Sequence, residues 1–228
     1  MKLEAILLAL VLAAVAFGLR VLFVLRQSSR NRHAKKRKAS EPCTTLIVLG
    51  SGGHTAEMLT LIDALDRTRY SPRWYVAAKT DTMSLNRAMA AEGAAEQQQA
   101  KVRRGPAKTA HYRSIPRSRE VGQSYLTSVW TTLVALWAAV ALVFRIRPEL
   151  ILCNGPGTCL PICVGGFLLK VFGLRDVKLV YVESIARVKK LSLTGLIFYR
   201  LGLMDQIFVQ WPSLCKSYPR TKYVGRLM

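Results

Sequence analysis

The chain has 228 residues, 51% hydrophobic and 21% charged, a balance that excludes a disordered segment and a disulfide-stapled miniprotein. Its 34 Lys and Arg against 13 Asp and Glu give a net charge of +21. An anionic partner is therefore expected: a membrane surface, a phosphorylated substrate or nucleic acid.

Residues 3–25, LEAILLALVLAAVAFGLRVLFVL, are almost wholly apolar. As a helix they reach about 34 Å, enough to cross a hydrocarbon core of roughly 30 Å. Arg20 lies close enough to one end to snorkel. No small-residue cleavage site follows, so residues 1–25 are predicted to be a retained transmembrane anchor and not a signal peptide. Residues 26–42 form a basic juxtamembrane linker carrying Arg26, Arg30, Arg32, Lys35, Lys36, Arg37 and Lys38, whereas Lys2 alone precedes the anchor. The positive-inside bias places the rest of the chain in the cytosol, and the collar suits anionic lipid head groups better than nucleic acid.

Residues 43–228 are expected to form one α/β domain. LIVLG (46–50), RWYVAA (73–78), LILCNGPG (150–157), KLVYVES (178–184) and DQIFVQW (205–211) carry strand signals. Helical patterns lie between them at 55–66, at 84–93 with Gly93 as the stop, and at 159–174. Strands alternating with helices predict βαβ units and a parallel sheet. The uncharged stretch 126–144 is predicted to be a buried helix of the domain, because a second span there would put the two halves of one sheet on opposite sides of a membrane. Residues 101–119, with seven Lys/Arg and no acid, read as a basic loop near the site face. The five cysteines form no CxxC pair and read as free thiols in a reducing compartment.

The most informative stretch is LIVLGSGGHTAEML. A glycine-rich turn between a strand and a helix lets backbone N–H groups and the helix dipole hold phosphate or pyrophosphate. Gly50, Gly52 and Gly53 supply the turn, Ser51 and Thr55 offer hydroxyls, and His54 can orient a phosphate or take a proton. There is no GxxxxGK[ST], so the turn is not a P-loop for nucleoside triphosphates. The dinucleotide pattern GxGxxG fails at Thr55, and no acid ends the second strand, which argues against an NAD-type oxidoreductase. A second turn, Asn154-Gly155-Pro156-Gly157, also follows a strand and precedes a helix. Both turns are expected to open on one crevice at the carboxyl ends of the strands, with Glu183 ending a further strand there. Two anion-binding turns, a histidine, a carboxylate and a membrane tether suit a lipid-linked pyrophosphate. No acidic DxD-type pair is present, so no built-in metal is expected.

LGSGGHTAEML, IPRSREVGQS, LILCNGPGTCLPICV, VYVESIARV, FVQWPSL and the terminal YVGRL together resemble the membrane-anchoring subunit of the two-part UDP-N-acetylglucosamine transferase of dolichol-linked oligosaccharide synthesis, the Alg14 family. GSGGH, NGPG and the Glu183 strand are more distantly similar to the acceptor half of the bacterial peptidoglycan lipid-intermediate transferase, MurG. The resemblance implies a single Rossmann-like domain, the N-terminal half of a glycosyltransferase-B fold, behind a transmembrane helix. It implies transfer of the second N-acetylglucosamine to dolichyl-pyrophosphate-N-acetylglucosamine, with inversion, on the cytosolic face of the endoplasmic reticulum membrane. UDP-N-acetylglucosamine is the implied donor, with no cofactor built in. A soluble donor-binding subunit, Alg13-like, is the implied partner, and residues 205–228 are the predicted docking region. On this reading His54 is the first candidate for the catalytic base and Glu183 the second. Gly50, Ser51, Gly52, Gly53, Thr55, Asn154, Gly155 and Gly157, helped by Arg117 or Arg119, would hold the acceptor pyrophosphate. The alternatives are a tether without catalytic residues, an oxidoreductase and a nucleic-acid binder. The basic residues lack the interleaved aromatics of the last.

Overall fold

The structure is a computed structural model that describes residues 2–30, 41–100, 110–117, 125–155 and 157–228. Among these residues six strands form one parallel sheet: β1 (Thr45–Val48), β2 (Arg73–Ala78), β3 (Ala110–Ile115), β4 (Leu150–Asn154), β5 (Lys178–Val182) and β6 (Gln206–Phe208). Their order is β3-β2-β1-β4-β5-β6. The chain runs outward to β3, then crosses back to β4 beside β1, so the order reverses between β1 and β4. That reversal is where open α/β sheets place their ligand crevice.

The helices are α1 (Lys2–Arg30), α2 (Gly53–Asp63), α3 (Thr82–Ala100), α4 (Tyr125–Ile146), α5 (Cys159–Val171), α6 (Leu193–Leu201) and α7 (Pro212–Ser217). The central strands β1 and β4 are apolar at almost every position because both faces of the sheet are covered there. Leu46, Val48, Ile151, Cys153, Leu179 and Tyr181 point into one core with residues of α4, α5 and α6. Ile47, Leu49, Leu152 and Val182 point into the other, with Met58, Leu61 and Ile62 of α2 and Ala88 of α3. Each large apolar side chain buried in this way contributes about 1.5–3 kcal/mol.

Several sequence expectations change. The stretch read as a basic loop contains β3, an edge strand whose aromatic residues stack on β2: Trp74 on His111 at 4.1 Å and Tyr75 on Tyr112 at 5.5 Å. Helix α3 does not stop at Gly93; it continues to Ala100, and its buried Glu92 takes Arg67 (2.9 Å), Arg73 (2.7 Å) and the Tyr75 hydroxyl. Helix α4 belongs to the domain, but only one side of it is buried. Ala135, Ala139 and Val143 are buried, and Gly165 of α5 admits this side closely, since a Cβ there would lie 3.1 Å from Val143 Cβ. The other side leaves Trp130 and Trp137 exposed at 70% and 77%, beside exposed Leu133 and Val134.

Leu3–Ser28 within α1 is the one helical stretch among the described residues long and apolar enough to cross a membrane. Its last turns also pack on the domain. Arg20 donates to the carbonyls of Val171 and Lys170, both at 3.0 Å, Phe17 meets Phe172, and Val24 and Ser28 are buried. The carbonyls that Arg20 caps end α5, where a cation complements the helix dipole.

Candidate functional site

Strands β1 and β4 pair side by side, Val48 opposite Cys153, so the turns that leave them are neighbours. The first turn carries Gly52 at φ +62 and the second Gly155 at φ +86, left-handed backbone that favours glycine. Helices α2 and α5 begin directly after these turns, and neither has a side-chain N-cap. The first N–H groups of α2 thus remain for a ligand, whereas in α5 the Leu160 N–H donates to the Gly157 carbonyl at 3.2 Å and Pro161 has no N–H; both dipoles favour an anion. Ser51, Gly52, Gly53 and Gly157 are exposed at this rim.

His54 joins the two turns. Its Nδ1 lies 2.9 Å from Asn154 Oδ1 and 3.4 Å from Glu57 Oε2. The ring sits on the Cα of Gly155, where an added Cβ would be 2.5 Å from Cγ and Nδ1. The side chain remains 35% exposed. Because Nδ1 faces the protein, Nε2 is the nitrogen left for a ligand.

Glu57, one turn further along α2, was not singled out from sequence, where it reads as an ordinary helix charge. Folding makes it a hub. Oε1 accepts from Ser184 Oγ (2.8 Å) and the Ile185 N–H (3.3 Å), while Oε2 accepts from Asn154 Nδ2 (3.0 Å). The one available signal was its position three residues after His54, on the same helical face.

Thr55 and Glu183 lie elsewhere than the crevice surface. Thr55 is fully buried, with its hydroxyl on the Gly50 carbonyl and 2.6 Å from Ser84 Oγ. Ser84 also bonds Gly50 O (3.1 Å) and Asp81 (2.7 Å), so this network fixes the first turn from below. Glu183 is 0% exposed. Its carboxylate accepts from the Ser192 N–H (2.9 Å) and Oγ (3.1 Å), the Ser184 N–H (3.2 Å) and the Tyr181 hydroxyl (3.4 Å). Burial pushes this carboxyl above its usual range, and the hydrogen bonds from Ser192 and Ser184 oppose the shift. Glu183 thus braces the 184–192 loop against the start of α6, where Ser192 caps the Gly195 N–H at 3.0 Å.

Asn154 and Gly155 are buried at the crevice floor. Arg117 follows β3, two strands from β1, or roughly 10 Å across the sheet. Arg119 lies outside the described residues. The segment after α7 runs alongside β6, with Lys222 bridged to Phe208. From there Arg226 covers the Trp211 ring at 4.7 Å, the Leu227 N–H donates to Gln210 Oε1 (2.9 Å), and Met228 Sδ comes to 3.4 Å from Asn154 Nδ2. Tyr223 and Val224 stay exposed on this edge.

The family model described as oligosaccharide biosynthesis protein Alg14 like matches residues 45–227. Among curated relatives, proteins named UDP-N-acetylglucosamine transferase subunit ALG14 are similar over nearly the whole chain. That of Rattus norvegicus is 47% identical over 226 residues, covering 96% of this chain and 98% of the relative. That of Homo sapiens is 44% identical over 224 residues, with the same coverage. That of Yarrowia lipolytica is 41% identical over 223 residues, covering 98% of each. In fold, the chain is similar to the crystal structure of Acinetobacter baumannii MurG, with TM-score 0.52 and 14% identity over 80% of this chain and 44% of that one.

Proposed function

Since the chain belongs to the Alg14 family, we propose that it is the acceptor-side, membrane-anchored subunit of a UDP-N-acetylglucosamine transferase. The acceptor is dolichyl-pyrophosphate-N-acetylglucosamine, and the product carries a second N-acetylglucosamine. The observation that carries this reading is His54, held by Nδ1 between two uncapped helix N-termini with Nε2 left for a ligand. The N–H groups at the start of α2 and the dipoles of both helices hold the pyrophosphate, which sets the acceptor sugar over the histidine. Nε2 takes the proton of the acceptor 4-hydroxyl, the freed oxygen bonds to the donor's anomeric carbon, and UDP leaves with the bonding electron pair, inverting that carbon. The buried Glu183 positions the loop beside the site and takes no proton from the acceptor.

The relatives' name, a transferase subunit, supports a separate donor-binding polypeptide. The exposed Tyr223 and Val224 beside edge strand β6 offer it a surface within the 205–228 region. The apolar α1, the basic linker after it and the exposed face of α4 support anchorage at the cytosolic face of the endoplasmic reticulum membrane.

The test is a transfer assay with UDP-N-acetylglucosamine and a short-chain prenyl-pyrophosphate-N-acetylglucosamine, with and without the soluble subunit. Product is expected only with both proteins, and His54→Ala should lower kcat by about 10²–10⁴-fold while still binding the partner. An unchanged rate would instead leave the chain a tether. No product from folded, bound proteins would overturn the acceptor assignment.

A further inference from the structure

We infer that Glu57 is a positioning residue that sets the tautomer of His54, acting through the side-chain amide of Asn154. The inference rests on His54 being the base. A histidine can accept a proton at Nε2 only if its neutral form carries its hydrogen on Nδ1. Nδ1 faces Asn154 Oδ1 at 2.9 Å, and an amide oxygen is an acceptor only, so Nδ1 must be the donor. What fixes the amide that way round is Glu57. Asn154 Nδ2 has Glu57 Oε2 at 3.0 Å and Met228 Sδ at 3.4 Å. Turned over, the amide would set its oxygen against a carboxylate oxygen and its nitrogen against the imidazole. Glu57 is itself fixed, because Oε1 accepts from Ser184 Oγ and the Ile185 N–H. A chain of donors and acceptors therefore runs from the backbone after β5, through α2 and the end of β4, to the imidazole.

Among the described residues, the groups that face the ring are few. From α2 comes the Glu57 carboxylate, 3.4 Å from Nδ1; from the end of β4 come Asn154 and Gly155, neither of which titrates. In sequence these partners are 97 and 127 or 128 positions from Glu57.

Glu57→Gln reverses the relay without changing its shape. The Ile185 N–H needs an acceptor, so the new side chain keeps its oxygen there and turns its NH₂ to position 154. Asn154 then turns over to offer its oxygen, its nitrogen donates to Nδ1, and the hydrogen of the neutral imidazole moves to Nε2. In the double variant E57Q/N154D a carboxylate at position 154 accepts from both sides, and the Nδ1–H form returns.

The experiment is ¹⁵N NMR of the full chain labelled at histidine, in detergent, at about pH 8.5, where an ordinary imidazole is neutral. His54 is told from His33 and His111 by the spectrum of H54Q. The expected result is Nδ1–H in wild type, Nε2–H in E57Q and Nδ1–H again in E57Q/N154D. In the complete complex, E57Q should lose about 10²–10⁴-fold in kcat with acceptor KM within a few-fold of wild type, as expected for a base in the wrong tautomer. An Nε2–H wild type, or an E57Q spectrum still showing Nδ1–H, would overturn the role of Glu57. A kcat loss without a tautomer change would do the same. Full activity in H54A would instead overturn His54 as the base, a result the spectra do not depend on.

Discussion

Replacing Gly155 by alanine tests the seat of the histidine. The new Cβ would lie 2.5 Å from His54 Cγ and Nδ1 and 2.8 Å from Cδ2. Ordinary carbon contacts are about 3.5–4.0 Å, so the ring must withdraw by roughly 1 Å. That movement breaks the 2.9 Å bond from Nδ1 to Asn154, a net loss of about 1 kcal/mol. The left-handed φ of +86 adds roughly 1–2 kcal/mol for a residue with a Cβ. Stability should therefore fall by about 2–3 kcal/mol in total. On the proposed role of His54 as base, the larger effect is on rate, because moving a reacting group by 1 Å costs on the order of 10²-fold. The assay is kcat and acceptor KM of the complete complex, with Tm measured beside it. Gly93→Ala is the control: it lies inside α3, and its Cβ meets nothing within 4 Å. It should gain up to about 1 kcal/mol of stability and leave kcat unchanged. A Gly155→Ala protein with the kcat and Tm of wild type would refute the placement of His54.

Two further predictions concern the buried carboxylate. In Gly195→Ala the Cβ would stand inside van der Waals contact of Glu183 Oε2 and 3.2 Å from Ser192 Oγ and Tyr181 Cε1. Overpacking and a strained charged hydrogen bond predict a loss of about 2–4 kcal/mol, a Tm drop of roughly 5–12 °C; a drop below a degree would contradict the packing described. Burial raises the Glu183 carboxyl above its usual 4.5, so the folded chain holds this proton more tightly than the unfolded one. The resulting stability is complete below about pH 4.5 and is lost as pH rises through the raised value. The Tm of wild type relative to Glu183→Gln should therefore fall on going from pH 4 to pH 7, and a constant difference would show that desolvation does not govern the group.

The strand–turn–helix units were legible because their signals are local. Strands buried on both faces read as continuous apolar runs, such as LIVLG and LILCN, and glycine marks the turns after them. Strand β3 was not legible: AHYRSI is an edge strand with one buried residue, Ile115, and its aromatic residues stack on β2, Tyr112 packing only against the margin of the core. Nor did helix α4 show its sidedness, since its buried and exposed faces are both apolar and hydropathy does not separate them.

The sequence by itself determined the anchor-like α1, the parallel α/β class, the two glycine turns and the histidine between strand and helix, because each depends on residues within one short segment. Tertiary structure decided the rest. The strand order places β4 beside β1, and only that adjacency brings Asn154 to His54. Glu57 and Glu183 are both glutamates next to a turn, yet one faces the crevice network and the other is sealed beneath a loop. The difference lies in which donors surround each carboxylate: Ser184, Ile185 and Asn154 for Glu57, and Ser192, Ser184 and Tyr181 for Glu183. The donors of Glu57 lie 97 to 128 positions away, and only the packing of β4, β5 and α2 brings them within hydrogen-bond reach, whereas those of Glu183 lie within nine positions, Ser192 returning to it through the 184–192 loop.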